Sequence, residues 1–300
     1  MELTRVARPG GVRLLAKLEG GNPTGSIKDR IVYHMLAHAR EEGRLLPGQP
    51  IIEASTGNTG IALAMMGRRW GHDVEVVLPR NAYPPIARLL RMYGAALVWT
   101  PAESGVAGAI RVAQERARTA GAYFLNQFHD AHNAATHYET TGPEIWEGAP
   151  EIDVLVAGVG TGGTIVGAGR YLKERNPAVR LVAAEAHPAS QVQGLASFRE
   201  GFLPPLLDLR LLDAKILVRS ADAFRAAREL VEQEGIFGGV SAGAVLHVAR
   251  VYAARARRAG PAPPPTIVCV FADAGWKYLD SALWVRDPAP DEDLEGTVWW

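Results

Sequence analysis

One lysine in this chain stands where an amine could do chemistry. Lys28 lies near the end of GGNPTGSIKDR, Gly20 to Arg30, where turn-forming residues run straight into an apolar helical pattern. A lysine amine becomes a nucleophile toward carbonyls when burial or a cationic neighbour lowers its pKa. Taken alone, the stretch is a solvated lysine at a helix entrance, with Ser26 as N-cap and Asp29 at the positive end of the helix dipole.

Three more stretches join it. Gly158-Val-Gly160-Thr-Gly162-Gly163 satisfies G-x-G-x-x-G, and Glu185 follows at about the spacing of a ribose-binding acid, so by itself it reads as a dinucleotide site. Thr161, Gly162, Gly163 and Thr164, however, gather small residues and hydroxyls round one turn, which suits a terminal phosphate monoester. Glu185 has a plainer reading as a capping or salt-bridging carboxylate at a strand end. EASTGNTG, Glu53 to Gly60, sets Ser55, Thr56, Gly57, Asn58 and Thr59 at a second helix start. These suit a carboxylate, and Asn58 could donate to a phenolate-like oxygen, although a capping loop has the same composition. GGVSAGA places Ser241 at a third helix start, where a capping serine is the plain reading. A phosphate cradle, a carboxylate cradle, a lone serine and one loop lysine together fit pyridoxal 5′-phosphate in a Schiff base. Lys28 would hold the aldehyde, the Gly160–Thr164 turn the phosphate, Asn58 the ring's O3′ and Ser241 the ring nitrogen.

The elements that would position these residues follow from periodicity. Short apolar runs alternate with helical patterns, which predicts a parallel α/β sheet. PIIEA, DVEVVLP, ALVWTP, DVLVAGVG, VRLVAAEA, KILVRS and TIVCVFADAG read as strands, and ligands bind where such strands end and helices begin. With 300 residues the chain is one large α/β unit or two domains. Its 32 Lys and Arg balance 32 Asp and Glu, which gives no case for nucleic acid or an anionic membrane surface. A single cysteine, Cys269, points to a reducing compartment and reads as a buried small apolar residue. With no signal-peptide core and no membrane-length run, a cytoplasmic protein is expected. GPAPPP reads as a surface turn and RDPAPDEDLEG as an acidic tail segment.

Five blocks in order, LEGGNPTGSIKDR, EASTGNTGIALAMM, LNQFHDAHNAATHYETTGPEIW, VAGVGTGGTIVGAGRYLKE and GIFGGVSAGA, resemble the cysteine synthase branch of the fold-type II pyridoxal-phosphate enzymes. The resemblance runs from about Leu15 to about Leu279. It implies two three-layer α/β domains with the active site in the cleft between them. Residues 23–130 would form a smaller, mobile domain, residues 131–300 with 1–22 a larger one, and 286–300 a C-terminal tail. It also implies that Ser55, Thr56, Gly57 and Thr59 grip the substrate carboxylate with Gln127 assisting, and that Gly194 faces the site across the cleft. The family reaction is β-replacement, with Lys28 as Schiff-base residue and general base. A bound α-aminoacrylate adds sulfur to give L-cysteine from O-acetylserine or O-phosphoserine. Cystathionine β-synthase and serine/threonine dehydratase share that chemistry. A neutral Ser241 at the ring nitrogen implies a weakened electron sink that favours elimination.

DAGWKYL and the chain end resemble a subgroup that uses O-phosphoserine and a thiocarboxylated, ubiquitin-like sulfur-carrier protein, which places Trp299 and Trp300 as a lid. The arginine associated there with phosphoserine falls at Ala196 here, with Arg199 the nearest arginine. The resemblance further implies a homodimer. His129, His132 and His137 lack the spacing of a helical zinc site and read as structural or surface residues, so no metal is expected. Asp29 and Arg30 are expected to serve helix entry and packing.

Overall fold

Strands buried on both faces of a parallel sheet are near-continuous apolar runs, and VLVAG and TIVCVF become such strands. The computed structural model describes residues 1–7, 12–190, 192–198, 203–258, 264–281 and 284. Their strands are β1 (Glu2–Leu3), β2 (Arg13–Leu18), β3 (Ile51–Ala54), β4 (Val74–Pro79), β5 (Ala96–Thr100), β6 (Tyr123–Phe124), β7 (Val154–Gly158), β8 (Arg180–Ala186), β9 (Ala214–Val218) and β10 (Thr266–Phe271). The helices are α1 (Lys28–Glu41), α2 (Asn58–Trp70), α3 (Pro84–Met92), α4 (Gly105–Ala120), α5 (His132–Thr136), α6 (Gly142–Gly148), α7 (Gly163–Arg175), α8 (Ser220–Glu234) and α9 (Val240–Arg258).

Two sheets result, ordered β1-β2-β10-β7-β8-β9 and β5-β4-β3-β6. Apart from the antiparallel β1–β2 pair, the pairings are parallel. The two-residue period of a strand sends alternate side chains to opposite faces, and the cores follow it. Val154 and Val156 pack with Phe224 of α8 and Leu246 of α9. Leu155 and Ala157 pack on the other face with Ile165 and Leu172 of α7. In the smaller sheet Ile51 turns to Ile31, Met35 and Ile61, and Ile52 and Ala54 turn to Ala109 and Ala113 of α4. Each sheet is thus covered on both faces, the three-layer arrangement expected twice over.

The register of β10 decides what surrounds Lys28. It lies between β2 and β7 with Phe271 opposite Leu18, so the chain leaving β10 runs beside the entrance to α1. Ile27 N–H donates to the Ala272 carbonyl at 2.8 Å, and Ser26 bridges Asp273. Helix α1 therefore starts against the larger sheet and packs its apolar face, Ile31 to Leu36, into the smaller one.

One local expectation is corrected. Ser26 is not the N-cap, because Ile27 holds that place in helical conformation and the Ser26 hydroxyl accepts only a 3.3 Å bond from the Lys28 N–H. Asp29 stands in the first turn of α1, as expected. It is buried and accepts from the Thr24 N–H at 2.7 Å and from the Thr24 hydroxyl, and burial pushes its carboxyl pKa up. Arg30 does serve packing, bonded to buried Glu19 and to Glu144. Residues 137–141 widen into a π-helix, which nothing in the sequence signalled. Arg199, the tail 286–300 with Trp299 and Trp300, and most of GPAPPP lie outside the described residues.

Candidate active site

The turns leaving β3 and β7 face one another across a cavity, which continues inward into a second one. Lys28, Asn58, Gly160, Thr161 and Gly194 line both. Ser55, Thr56, Thr59 and Gln127 line the outer cavity; Gly162, Thr164 and Ser241 line the inner one. Gly57 is the N-cap of α2 and Gly163 the first residue of α7, so both lie in the two turns themselves. Residues from six separated stretches converge here.

Lys28 opens α1 and extends to the junction of the cavities. Desolvation brings its pKa down to about 8, against the opposing pull of the Asp273 carboxylate. About a tenth of such an amine is neutral at pH 7, against well under a thousandth for an ordinary lysine, and the neutral form is what a nucleophile or base requires.

The turn before α7 is a cradle that side chains would fill. A Cβ at Gly163 would overlap the Asn133 carboxamide, one at Gly160 would press on the Gly194 carbonyl at 3.1 Å, and Gly162 has φ +86° against Leu207. The N-cap of α7, Gly162, has no side chain, and the Thr161 hydroxyl accepts a long bond, 3.3 Å, from the Gly163 N–H, so the start of the helix can turn its N–H groups to an anion. Behind the turn, Asn133 donates to the Thr161 hydroxyl at 3.1 Å and to the Gln127 carbonyl at 2.8 Å. The Asn133 Oδ1 has no hydrogen-bond partner among the described residues. His137 shares a 3.2 Å contact with the Thr164 hydroxyl and a 2.9 Å contact with Thr141. Burial, helped by the charge of Lys28, drives His137 well below its ordinary pKa, so it is a neutral support for the turn.

The turn before α2 is bonded differently. Ser55 Oγ accepts from Gly60 N–H at 2.9 Å and Gly57 N–H at 3.3 Å, so Ser55, two residues before the N-cap Gly57, satisfies N–H groups at the start of α2. Thr59 donates to Gln127 Oε1 at 2.6 Å, and Gln127 Nε2 lies 3.2 Å from the Ala54 carbonyl. Beneath them Glu53 is fully buried and accepts the Asn126 N–H at 2.6 Å. Desolvation raises its pKa to about 8 despite those donors. Asn126 sits at φ 59°, the one left-handed non-glycine residue among those described.

Sequence reasoning missed a third group. Asp273 accepts from Asn58 Nδ2 at 2.8 Å and from the Tyr278 hydroxyl, and lies 3.5 Å from Ser241 Oγ. Lys277 donates to Asn58 Oδ1 at 2.5 Å. A Cβ at Gly239 would overlap the Asp273 carboxylate, which accounts for the doubled glycine of GGVSAGA. DAGWKYL carried these residues, but only as a pattern and with no place in the fold.

The remaining candidates settle into structure. Glu185 is buried beside Lys215 at 3.0 Å and accepts the Phe198 N–H at 3.1 Å, the salt-bridging alternative to a ribose contact. Cys269 is buried and its thiol pKa is pushed up to about 12. His129 contacts Asn126 at 3.0 Å. His132 contacts Asp130 at 2.8 Å and stacks on His38 with centroids 4.4 Å apart. His38, Glu42 and His132 lie close enough to share a cation. However, the two stacked rings lie in near-parallel planes that do not converge on one point, and Arg44 already holds Glu42 at 2.6 Å.

A helix start ringed by glycines that admit no Cβ, a neighbouring amine of lowered pKa and an oriented amide are the features a phosphate-bearing aldehyde needs, so these residues fit pyridoxal phosphate. Comparison with known proteins agrees. Residues 1–273 match the family described as pyridoxal-phosphate dependent enzyme. The chain is 35% identical to cysteine synthase B of Escherichia coli over 94% of this chain and 92% of that protein. It is 38% identical to a cysteine synthase of Aquifex aeolicus over 92% and 85%. Among solved structures, O-ureido-L-serine synthase superposes with a TM-score of 0.87 at 32% identity, covering 97% of this chain and 94% of that one. A cysteine synthase of Entamoeba histolytica gives 0.85 at 32%, covering 96% and 88%.

Proposed function

The chain belongs to the pyridoxal-phosphate-dependent enzymes, in their cysteine synthase branch, and from that premise we propose that it makes L-cysteine from O-acetyl-L-serine and sulfide by β-replacement. The observation that carries the reading is the Lys28 amine, its pKa about 8, at the floor of a cavity between a glycine-threonine turn and a serine-threonine turn. Bound pyridoxal phosphate supplies the electron sink that lets a substrate lose its Cα proton and its β-substituent.

The chain's own residues supply the rest. The α7 turn, Gly160 to Thr164, receives the phosphate on backbone N–H groups, with Thr161 and Thr164 held by Asn133 and His137. Ser241 meets the ring nitrogen as a neutral hydroxyl and Asn58 meets O3′. The start of α2, with Ser55, Thr56, Gly57 and Thr59, receives the substrate carboxylate, and Gln127 is set in place through Thr59. Gly194, with φ +79° and no side chain, leaves room opposite Ser241. Lys28 takes up the Cα proton. Val106, Ala109 and Phe128 line the outer cavity with apolar surface and exclude water from the reacting carbon.

The same lining supports an acetyl leaving group over a phosphate. Among the described residues of the outer cavity, Lys28 is the only cation, and position 196 is alanine. A phosphate dianion would be desolvated there without a guanidinium to pair it. Residues 23–130 are read as the domain that closes on substrate. The protein is read as a cytoplasmic homodimer, an assembly tested by its mass in solution; no helix among the described residues is long and apolar enough to cross a membrane.

The test begins with borohydride reduction of the cofactor-loaded protein and peptide mapping, which should find the label on Lys28. Turnover of O-acetylserine with sulfide should then exceed that of O-phosphoserine, offered with sulfide or with a thiocarboxylated carrier protein. A label on another side chain overturns the site assignment, and a preference for O-phosphoserine overturns the substrate.

A further inference from the structure

We propose that Lys277 is a positioning residue which, with Asp273, fixes the end of the Asn58 carboxamide that faces the cofactor cavity. The inference rests on the cofactor reading above. An asparagine amide presents a carbonyl at one end and an NH₂ at the other, and its surroundings decide which way it turns. Here the surroundings leave no choice. Lys277 Nζ lies 2.5 Å from Asn58 Oδ1, and Asp273 Oδ2 lies 2.8 Å from Asn58 Nδ2. An ammonium only donates and a carboxylate only accepts. Turning the amide over would set its NH₂ against the ammonium and its carbonyl against the carboxylate, losing two charge-assisted bonds at once.

One N–H of Nδ2 is committed to Asp273, and the other has the Tyr278 hydroxyl, itself bonded to Asp273, as a neighbour. Asn58 lines both cavities with Lys28, so the N–H not held by Asp273 is the donor the amide can offer to the phenolic oxygen beside the aldehyde in place of that hydroxyl. Without Lys277 the carbonyl end loses its partner, and Asp273 alone resists a turn that would present the carbonyl to that same oxygen and repel it.

The burial of Lys277 argues that the residue has such a task. It is 3% exposed, and a buried ammonium is costly unless its bonds repay the lost hydration. Its bonds go to an amide and to the Gly25 carbonyl at 2.9 Å, while Asp273 and Asp29 act on it through space. The Gly25 bond ties it to the turn that carries Lys28. Asp273, held by the Tyr278 hydroxyl and 3.5 Å from Ser241, links the same arrangement to the ring-nitrogen side of the cavity.

The test is a double-mutant cycle on apoprotein titrated with pyridoxal phosphate, reading the dissociation constant and the visible absorption of the bound cofactor. K277M should weaken binding about tenfold or more, the scale of a charge-assisted bond, and shift the absorption. K277R, which keeps charge and donor, should restore most of both. In the N58A background K277M should change the dissociation constant by no more than about twofold, because nothing is left to orient. A full K277M effect that persists in N58A overturns the proposal, as does K277M with wild-type affinity and absorption. If K277M does not fold, K277Q takes its place. Its own amide can meet either end of Asn58, so orientation control is lost, and its effect must likewise vanish in N58A. Wild-type apoprotein that takes up no cofactor sinks the functional reading and this inference together. Wild-type protein labelled on Lys28 beside an unaltered K277M sinks the inference alone.

Discussion

The two turns that face each other across the cavity share one geometry and differ in almost everything else. Both leave the end of a parallel strand and open a helix, one from β7 into α7 and one from β3 into α2. The α7 turn is closed in by neighbours on the residues that carry no side chain, and the side-chain bond at its helix start, from the Gly163 N–H to the Thr161 hydroxyl, is long at 3.3 Å. Its N–H groups are left for something that stays. The α2 turn caps itself through Ser55 and hands its threonine to Gln127. A substrate carboxylate arriving there exchanges one set of hydrogen bonds for another, at small net cost in either direction. A resident group is served by the first arrangement and a transient one by the second.

The sharpest way to break this contrast is at the lysine that lines both cavities. Lys28→Ala removes the covalent link and the base together. Turnover should fall by at least about a thousandfold, as expected for loss of a positioned acid–base group and more, and borohydride should leave no label in the variant. Turnover near the wild-type rate would remove the basis of both readings. The pKa of about 8 also sets a slope. The amine attacks only when neutral, so borohydride-trapped attachment of pyridoxal phosphate to apoprotein should speed up with pH and level off above about 8. A rate independent of pH from 6 to 8 would contradict a neutral-amine attack.

Gly163→Ala tests the rigid turn by itself. The added methyl must overlap the Asn133 carboxamide, and overpacking of this kind costs about 1–3 kcal/mol. The variant should melt earlier and retain less cofactor, while the α2 turn feels it only through Asn133 and Gln127. Full cofactor content with an unchanged melting temperature would show that the cradle yields.

Glu53→Gln probes the other side through pH. The folded-state pKa of Glu53 is about 8, raised from 4.5 chiefly by burial. Between those values the folded protein holds a proton that the unfolded chain has lost. This contribution to stability is complete below about pH 4.5, falls as pH rises toward 8, and is level above. The slope is at most about 1.4 kcal/mol per pH unit. Glutamine cannot ionise, so the stability of E53Q relative to wild type should climb between pH 5 and 8 in denaturant titrations. Parallel curves would mean that Glu53 is ionised throughout.

What could be read from the sequence divides along the same line as the contacts. Both turns and Lys28 lie where the chain leaves a strand for a helix and Ser241 where α8 gives way to α9, each written in fewer than ten adjacent residues, and all of them reach the joined cavities. The three-layer packing was equally legible, because strands such as VLVAG alternate their faces within five residues. Asp273 and Lys277 were not legible. They meet Asn58 only because β10 inserts between β2 and β7, an ordering that joins residues 215 and 219 positions apart. Glu53 looked like one more polar residue of a turn-rich stretch, since alternation along β3 could not show that both faces of that short strand are covered. The same blindness hid the partner of Asp29, whose position in a first helical turn gave no sign of Thr24 folding back over it.

The smallest effect is expected at Ser55, where the two roles assigned to the α2 turn compete. Its oxygen accepts two backbone N–H groups, so its hydroxyl proton is what it can still offer a substrate. Ser55→Ala should cost about 1 kcal/mol as a lost cap, a drop of roughly 2–4 °C in melting temperature for a chain of this class. KM for the amino acid should rise severalfold with kcat little changed, because the start of α2 loosens without losing Thr56, Thr59 or its N–H groups. Asparagine at the same position caps nearly as well as serine but brings a larger side chain toward the carboxylate. Ser55→Asn should therefore recover the melting temperature and leave KM raised. If melting temperature and KM instead recover together, the serine acts on substrate only through the helix it caps. The α2 turn would then be a pre-shaped receptor like the α7 turn it faces.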